Sequence, residues 1–204
     1  MEAKDCLRIL REIKDVAFAT VDDQGLPQIR MIDVMLVESD KLYFCTSRGK
    51  DFYHQLQSHP HVAITGMNKD YQMIRLSGEA YQLDDAKKWI DLIFEHNPTM
   101  NDVYPGKSRY VLEPFCIAQG EVEFFDLGVQ PIERQTFVIG SKKKKRKGFM
   151  ISEKCIGCNQ CKIQCPQQCI EVGKPYVIQQ NHCLHCGLCY EKCPVQAIRR
   201  EEHE

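Results

Sequence analysis

Residues 155–166 read CIGCNQCKIQCP and residues 183–194 read CLHCGLCYEKCP, so one spacing of four cysteines and a proline is written twice. Three thiolates two residues apart can wrap one corner of an iron–sulfur cube, while the fourth, followed by proline, is turned toward a neighbouring cluster. The pattern predicts two 4Fe-4S clusters with crossed ligation. Cys155, Cys158, Cys161 and Cys193 are expected to hold one, and Cys183, Cys186, Cys189 and Cys165 the other.

Zinc sites usually take two close pairs across a longer loop, which leaves no role for the third cysteine. A disulfide framework would require export, and MEAKDCLRIL at residues 1–10 puts charges where a signal peptide needs an apolar run. The expectation is a soluble chain in a reducing, cytoplasmic compartment. Residues 149–200 resemble a bacterial-type two-cluster ferredoxin. Superposing the repeats sets Cys169 against Ala197, so Cys169 reads as a small buried filler. His182 and His185 flank the cysteines and are candidates for tuning a cluster by hydrogen bonding.

Upstream, the charge is uneven. Residues 1–141 carry 15 Lys or Arg against 22 Asp or Glu, whereas residues 142–147 are six consecutive bases. Like charges in a block repel and resist packing, so Lys142 to Lys147 read first as a solvated linker, with docking on acidic surface as the second reading. This divides the 204 residues into a domain at 1–140, a basic linker at 141–148 and a cluster domain at 149–204. Without aromatic interleaving or a recognition helix, nucleic-acid binding is not expected. No stretch approaches the ~20 apolar residues of a membrane span.

The first domain alternates short helices with strand-like runs. Cys6, Leu7, Leu10 and Ile13 recur at helical spacing over 3–13, and strands are expected at 16–21, 28–37 and 41–46 around turns rich in Asp and Gly. A helix at 50–58 ends before Pro60, strands follow at 61–67 and 72–82, and Asp84 is expected to cap a helix whose buried stripe includes Trp89 and Ile93. Strands at 114–126 and 133–139 close the domain. The expected class is mainly β with peripheral helices (α+β), a small barrel. Cys6 and Cys116 read as core thiols.

The order of VAFATVDDQGLP (16–27), QIRMIDV (28–34), KLYFCTSRGKDF (41–52), HPHV (59–62) and RLSGEA (75–80) resembles the pyridoxamine 5′-phosphate oxidase-like FMN-binding split barrels. Thr46, Ser47, Arg48 and Lys50 put hydroxyls and cations where a strand meets a helix start, a corner suited to phosphate. The resemblance assigns that corner to the phosphate of FMN, with further contacts from Arg30, Met31, Ile32 and Asp33 and from Phe44 and Cys45. It also implies a homodimer. Enzymes that oxidise pyridoxamine phosphate carry a C-terminal stretch rich in Arg, Trp and Pro, and here the lysine run and cysteine repeats stand in its place, so that activity is not expected.

Clusters pass electrons singly, and a flavin exchanges them singly or in pairs. The leading expectation is a flavin-dependent oxidoreductase, in the direction of a reductase, fed by a low-potential donor and reducing a small-molecule acceptor. A non-enzymatic redox sensor or electron carrier is the alternative. A third reading, a barrel that binds haem, rests on His54, His59 and His61, which are more simply surface histidines.

Overall fold

The computed structural model describes residues 1–141 and 146–203. Lys142 to Lys145 of the basic run lie outside the described residues. The chain divides into two compact units, one of residues 1–69, 73–123 and 136–142, the other of 70–72, 124–135 and 143–204.

The first unit is built on one curled sheet. Its strands are β1 (Asp15–Val21), β2 (Pro27–Asp33), β3 (Leu36–Glu38), β4 (Lys41–Ser47), β5 (His61–Met67), β6 (Gln72–Gln82), β7 (Leu112–Asp126) and β8 (Glu133–Ile139). The order across the sheet is β2-β1-β5-β6-β7-β4-β3, with β8 also on β7. The two ends of this path, β2 and β3, are consecutive in the chain and joined only through Val34 and Met35. A sheet whose edges are joined so tightly must curl until they meet, which gives a barrel with an unpaired seam.

Residues 28–37, expected as one strand, are broken at that seam. Asn97 Nδ2 donates to Met35 O at 2.8 Å and to Ile93 O at 2.7 Å, and the Arg11 guanidinium donates to Val34 O. Carbonyls held by side chains are not available to a ladder. Arg11 comes from helix α1 (Ala3–Ile13), whose Cys6, Leu7 and Leu10 are fully buried, and Asn97 follows helix α3 (Ala86–His96). The cap of α3 is Asp85, which accepts from Lys88 N, rather than Asp84. Helix α2 (Asp51–Ser58) lies between β4 and β5, and α4 (Met100–Val103) with the 3-10 turn Gly106–Val111 leads into β7.

Inside the barrel Phe44 stands 4.8 Å from Phe18, 5.9 Å from Phe52 and 5.5 Å from Phe115 by ring centroids. Such aromatic pairs contribute about 0.5–1.5 kcal/mol each beyond burial. Trp89 is only half-buried, stacked on Tyr43 with centroids 5.0 Å apart. Strands β6 and β7 approach closely at two glycines. A Cβ on Gly78 would lie 2.5 Å from Gln119 O, and one on Gly120 would lie 2.6 Å from Ser77 O.

The second unit carries β9 (Arg146–Ile151), α5 (Gln160–Ile163), β10 (Ile170–Glu171), β11 (Val177–Ile178), α6 (Leu188–Glu191) and β12 (Ile198–His203). Strands β9 and β12 pair antiparallel, as do β10 and β11. Its core holds Phe149, Ile170, Tyr176, Ile178 and Ile198 beside the cysteines. Residues 124–135, the far end of the β7–β8 hairpin, also belong to this unit. Among the described residues no helix is long and apolar enough to cross a membrane.

Candidate functional site

The duplicated cysteine sequence makes duplicated backbone. Left-handed residues occur at equivalent places in the two repeats: Gly157 and His185, Asn159 and Gly187, Gln168 and Gln196. Most of these are not glycine, and strain of this kind concentrates at ligand clamps. The third cysteine of each repeat, Cys161 or Cys189, sits on the short helix α5 or α6 that follows the left-handed turn. These turns also aim N–H groups at sulfur: His185 N is 3.4 Å from Cys183 Sγ, and Ala197 N is 3.2 Å from Cys193 Sγ.

Two hollows result. One is lined by Cys165, Cys183, Cys186 and Cys189, the other by Cys155, Cys158, Cys161 and Cys193. Each fourth cysteine therefore lies with the opposite repeat's three. The remaining walls are largely apolar, with Phe149, Ile170 and Ile178 at the first hollow and Ile151, Tyr176 and Ile198 at the second. Among the described residues no three His, Cys, Asp or Glu side chains converge on a single-ion site. Four soft thiol donors spread around a hollow suit a multinuclear iron–sulfur group.

Cys169 and Ala197 both line their hollows, as the superposition of repeats implies, and Cys169 Sγ is 3.5 Å from Cys165 Sγ. The Cys183 thiol is drawn down to about 6, first by a hydrogen bond from Cys169. His182 Nδ1 meets Ile132 O at 2.8 Å.

The residues expected to hold FMN are dispersed along β2, β4 and the start of α2. Thr46 is buried, and its Oγ1 has no hydrogen-bond partner among the described residues. Ser47 is half-buried, Arg48 and Lys50 are exposed, and Lys50 occupies the N-cap position of α2. An orphaned buried hydroxyl, two cations and the free N–H groups of a helix start fit an anionic phosphate. Arg48 also donates to Glu113 Oε1 at 2.6 Å, a partner the motif did not reveal because it comes from β7.

Other assigned residues turn elsewhere. Phe44 is fully buried in the aromatic core, so its side chain is closed to a ligand. Cys45 packs with Met35, Ile90 and Ile93, and burial pushes its thiol up to about 12. Arg30 folds inward, donating to Thr20 Oγ1 and to Gln55 Oε1 at 2.8 Å, with its guanidinium 4.7 Å from the Phe52 ring centre. Met31 faces outward, Ile32 is half-buried, and Asp33 lies 3.5 Å from Lys14. Burial, and then the neighbouring Asp15, hold the Asp33 carboxyl above its usual range.

His54, His59 and His61 are exposed, and His61 lies 3.5 Å from Glu79. A polar cavity of about 320 Å³ beside α2 is lined by Asp22, Asp23, Asp51, His54 and Gln55. Its three carboxylates make it a poor seat for phosphate.

Residues 3–114 match the sequence profile of the family described as Pyridoxamine 5′-phosphate oxidase, more than half of the chain. The chain belongs to the pyridoxamine 5′-phosphate oxidase family. Residues 154–197 of this family member also match the profile of a 4Fe-4S dicluster domain. The barrel is similar to a NimC/NimA family protein from Clostridium acetobutylicum, at 26% identity and a TM-score of 0.58, over 67% of this chain and 92% of that one. It shares the fold of a protein related to general stress protein 26 from the same organism (15% identity, TM-score 0.50, 66% and 94% covered). A putative pyridoxamine 5′-phosphate oxidase from Listeria innocua is alike in fold (18% identity, TM-score 0.50, 62% and 98% covered). No curated protein matches the chain.

Proposed function

We propose that this chain is a flavin-dependent reductase in which two 4Fe-4S clusters and FMN share one polypeptide and deliver electrons to a small acceptor. The observation that carries the reading is the meeting, in one chain, of a barrel of this family with eight thiols in two crossed sets of four. The clusters supply one-electron transfer, and the flavin couples single electrons to pairs.

Cys155, Cys158, Cys161 and Cys193 hold one cluster, and Cys183, Cys186, Cys189 and Cys165 the other. Thr46, Ser47, Arg48, Lys50 and the first N–H groups of α2 bind the flavin phosphate. The strand Arg30 to Asp33 borders the ring, where Arg30 acts through Thr20 and Gln55 by fixing β2 against α2. No nucleophile or carboxylate pair is required, because the chemistry resides in the cofactors.

A homodimer is part of the reading. Ile29 and Met31 are 73% and 61% exposed, and Ala19 and Ala17 stand opposite them on β1. An apolar row on an edge strand is a surface that a second copy can cover. Light scattering of the holoprotein should give twice the chain mass. The donor is a low-potential carrier, and the location is the cytoplasm.

The test is anaerobic mixing of a reduced low-potential donor with holoprotein while cluster and flavin absorbance are followed. Both should bleach, the flavin after the clusters, and an added acceptor should sustain turnover. Clusters that reduce with no flavin response overturn transfer within the chain. Flavin reduction without turnover on any acceptor turns the reading to a sensor.

A further inference from the structure

The two thiol sets are equivalent in sequence but not in surroundings. The contacts of the β7–β8 hairpin end among the described residues fall on the loops of one of them. Ile132 N donates to Gln167 Oε1 at 3.0 Å, Ile132 O meets His182 Nδ1, and Arg134 Nη1 donates to Cys183 O at 3.3 Å. The guanidinium also lies 5.5 Å from the Phe125 ring centre, which fixes its direction. Gln167, His182 and Cys183 all belong to the loops that carry Cys165 and Cys183.

The same set has an extra thiol. Cys169, 5% exposed, stands 3.5 Å from Cys165 Sγ, where the other repeat has Ala197. A thiolate bound to iron has no proton to give, so Cys169 is the donor in that contact. Cations and hydrogen bonds near cluster sulfurs favour the more negative, reduced state.

We propose that Arg134 and Cys169 are positioning residues that make the Cys165/Cys183/Cys186/Cys189 site the electron sink of the pair, a proposal that rests on the cluster assignment above. At half reduction, one electron from an external low-potential donor resides at that site while the Cys155/Cys158/Cys161/Cys193 site stays oxidised. No proton or second reactant takes part. The hairpin that carries Arg134 thereby gives the pair a direction.

The experiment is an anaerobic potentiometric titration of the full-length protein followed by electron paramagnetic resonance, with iron and sulfide counted in every sample. The parent should reduce in two one-electron steps. Arg134→Gln and Cys169→Ala should each weaken the higher-potential step by about tenfold in equilibrium constant, ~59 mV for one electron, and leave the lower step in place. Arg134→Lys, which keeps the charge, should restore most of the shift. Steps that do not move, that move together, or a change in the lower step alone overturn the proposal. Loss of about half the iron in Cys169→Ala would make Cys169 a ligand and overturn its donor role, while Arg134→Lys against Arg134→Gln still decides the charge. Parent protein lacking iron and sulfide would instead sink the cluster assignment itself.

Discussion

The Arg11 guanidinium donates to Asn97 Oδ1 at 2.8 Å, and Asn97 spends its own amide on Met35 O and Ile93 O. A residue from the first helix and one from the end of the third thus meet over the break between β2 and β3. Asn97 is 6% exposed, so its amide has little water to fall back on. Replacing it by alanine takes the amide donor from two buried carbonyls, each costing about 1–3 kcal/mol, while Arg11 keeps its bond to Val34 O. Asn97→Ala should lower the urea midpoint accordingly, with the m-value unchanged.

Gly78→Ala should be worse than its size implies. The new methyl would overlap Gln119 O and also meet Ile117 Cγ2 at 2.9 Å, and neither the backbone nor a fully buried side chain gives way easily. Overpacking of this kind costs about 1–3 kcal/mol. Thermal melts followed by circular dichroism provide the check.

The crossed sets make an unusual iron count. Cys165→Ala and Cys193→Ala should each lower iron from about eight to about four atoms per chain. The cluster lost should be the one whose three other ligands lie in the opposite repeat. Pairing Cys165→Ala with Cys183→Ala should cost no further iron, whereas pairing it with Cys155→Ala should remove the rest. Uncrossed ligation gives the reverse pattern.

Iron removal should unfold one unit and spare the other. The core of the second unit has few apolar side chains besides cysteine, and a core of that size needs a metal group to offset chain entropy. A chelator under reducing conditions should abolish hydrogen-exchange protection over 146–151 and 170–198. Protection in β1, β5 and β6 should remain.

Much of this was legible in the residues. Cysteine spacing is a local signal that acts at short range, and the two sets that meet in space are those it predicts. Helix α1 and strands β5, β6 and β8 likewise follow from periodicity, which each segment carries by itself. What escaped was long-range. The split of residues 28–37 depends on Asn97, which is 62 positions from Met35. Arg30 turns inward because Thr20 and Gln55 supply acceptors from two other elements, and Arg48 meets Glu113 because β4 pairs with β7. The cap expected at Asp84 falls one residue later, on Asp85, whose left-handed backbone is not announced by its residue type. The short elements between Met100 and Val111 have no apolar stripe to announce them.

The hairpin end has a practical consequence for anyone who wishes to make the halves separately. A fragment stopped after Ser141 would contain residues 124–135 without the chain they fold against, stripping the cover from Ile132, which is 3% exposed in the intact protein. A fragment starting at residue 146 would in turn lack Arg134 and the partner of Gln167. Splitting the gene at the lysine codons would therefore yield two damaged products, and a clean excision has to take the ribbon tip along with the ferredoxin-like half.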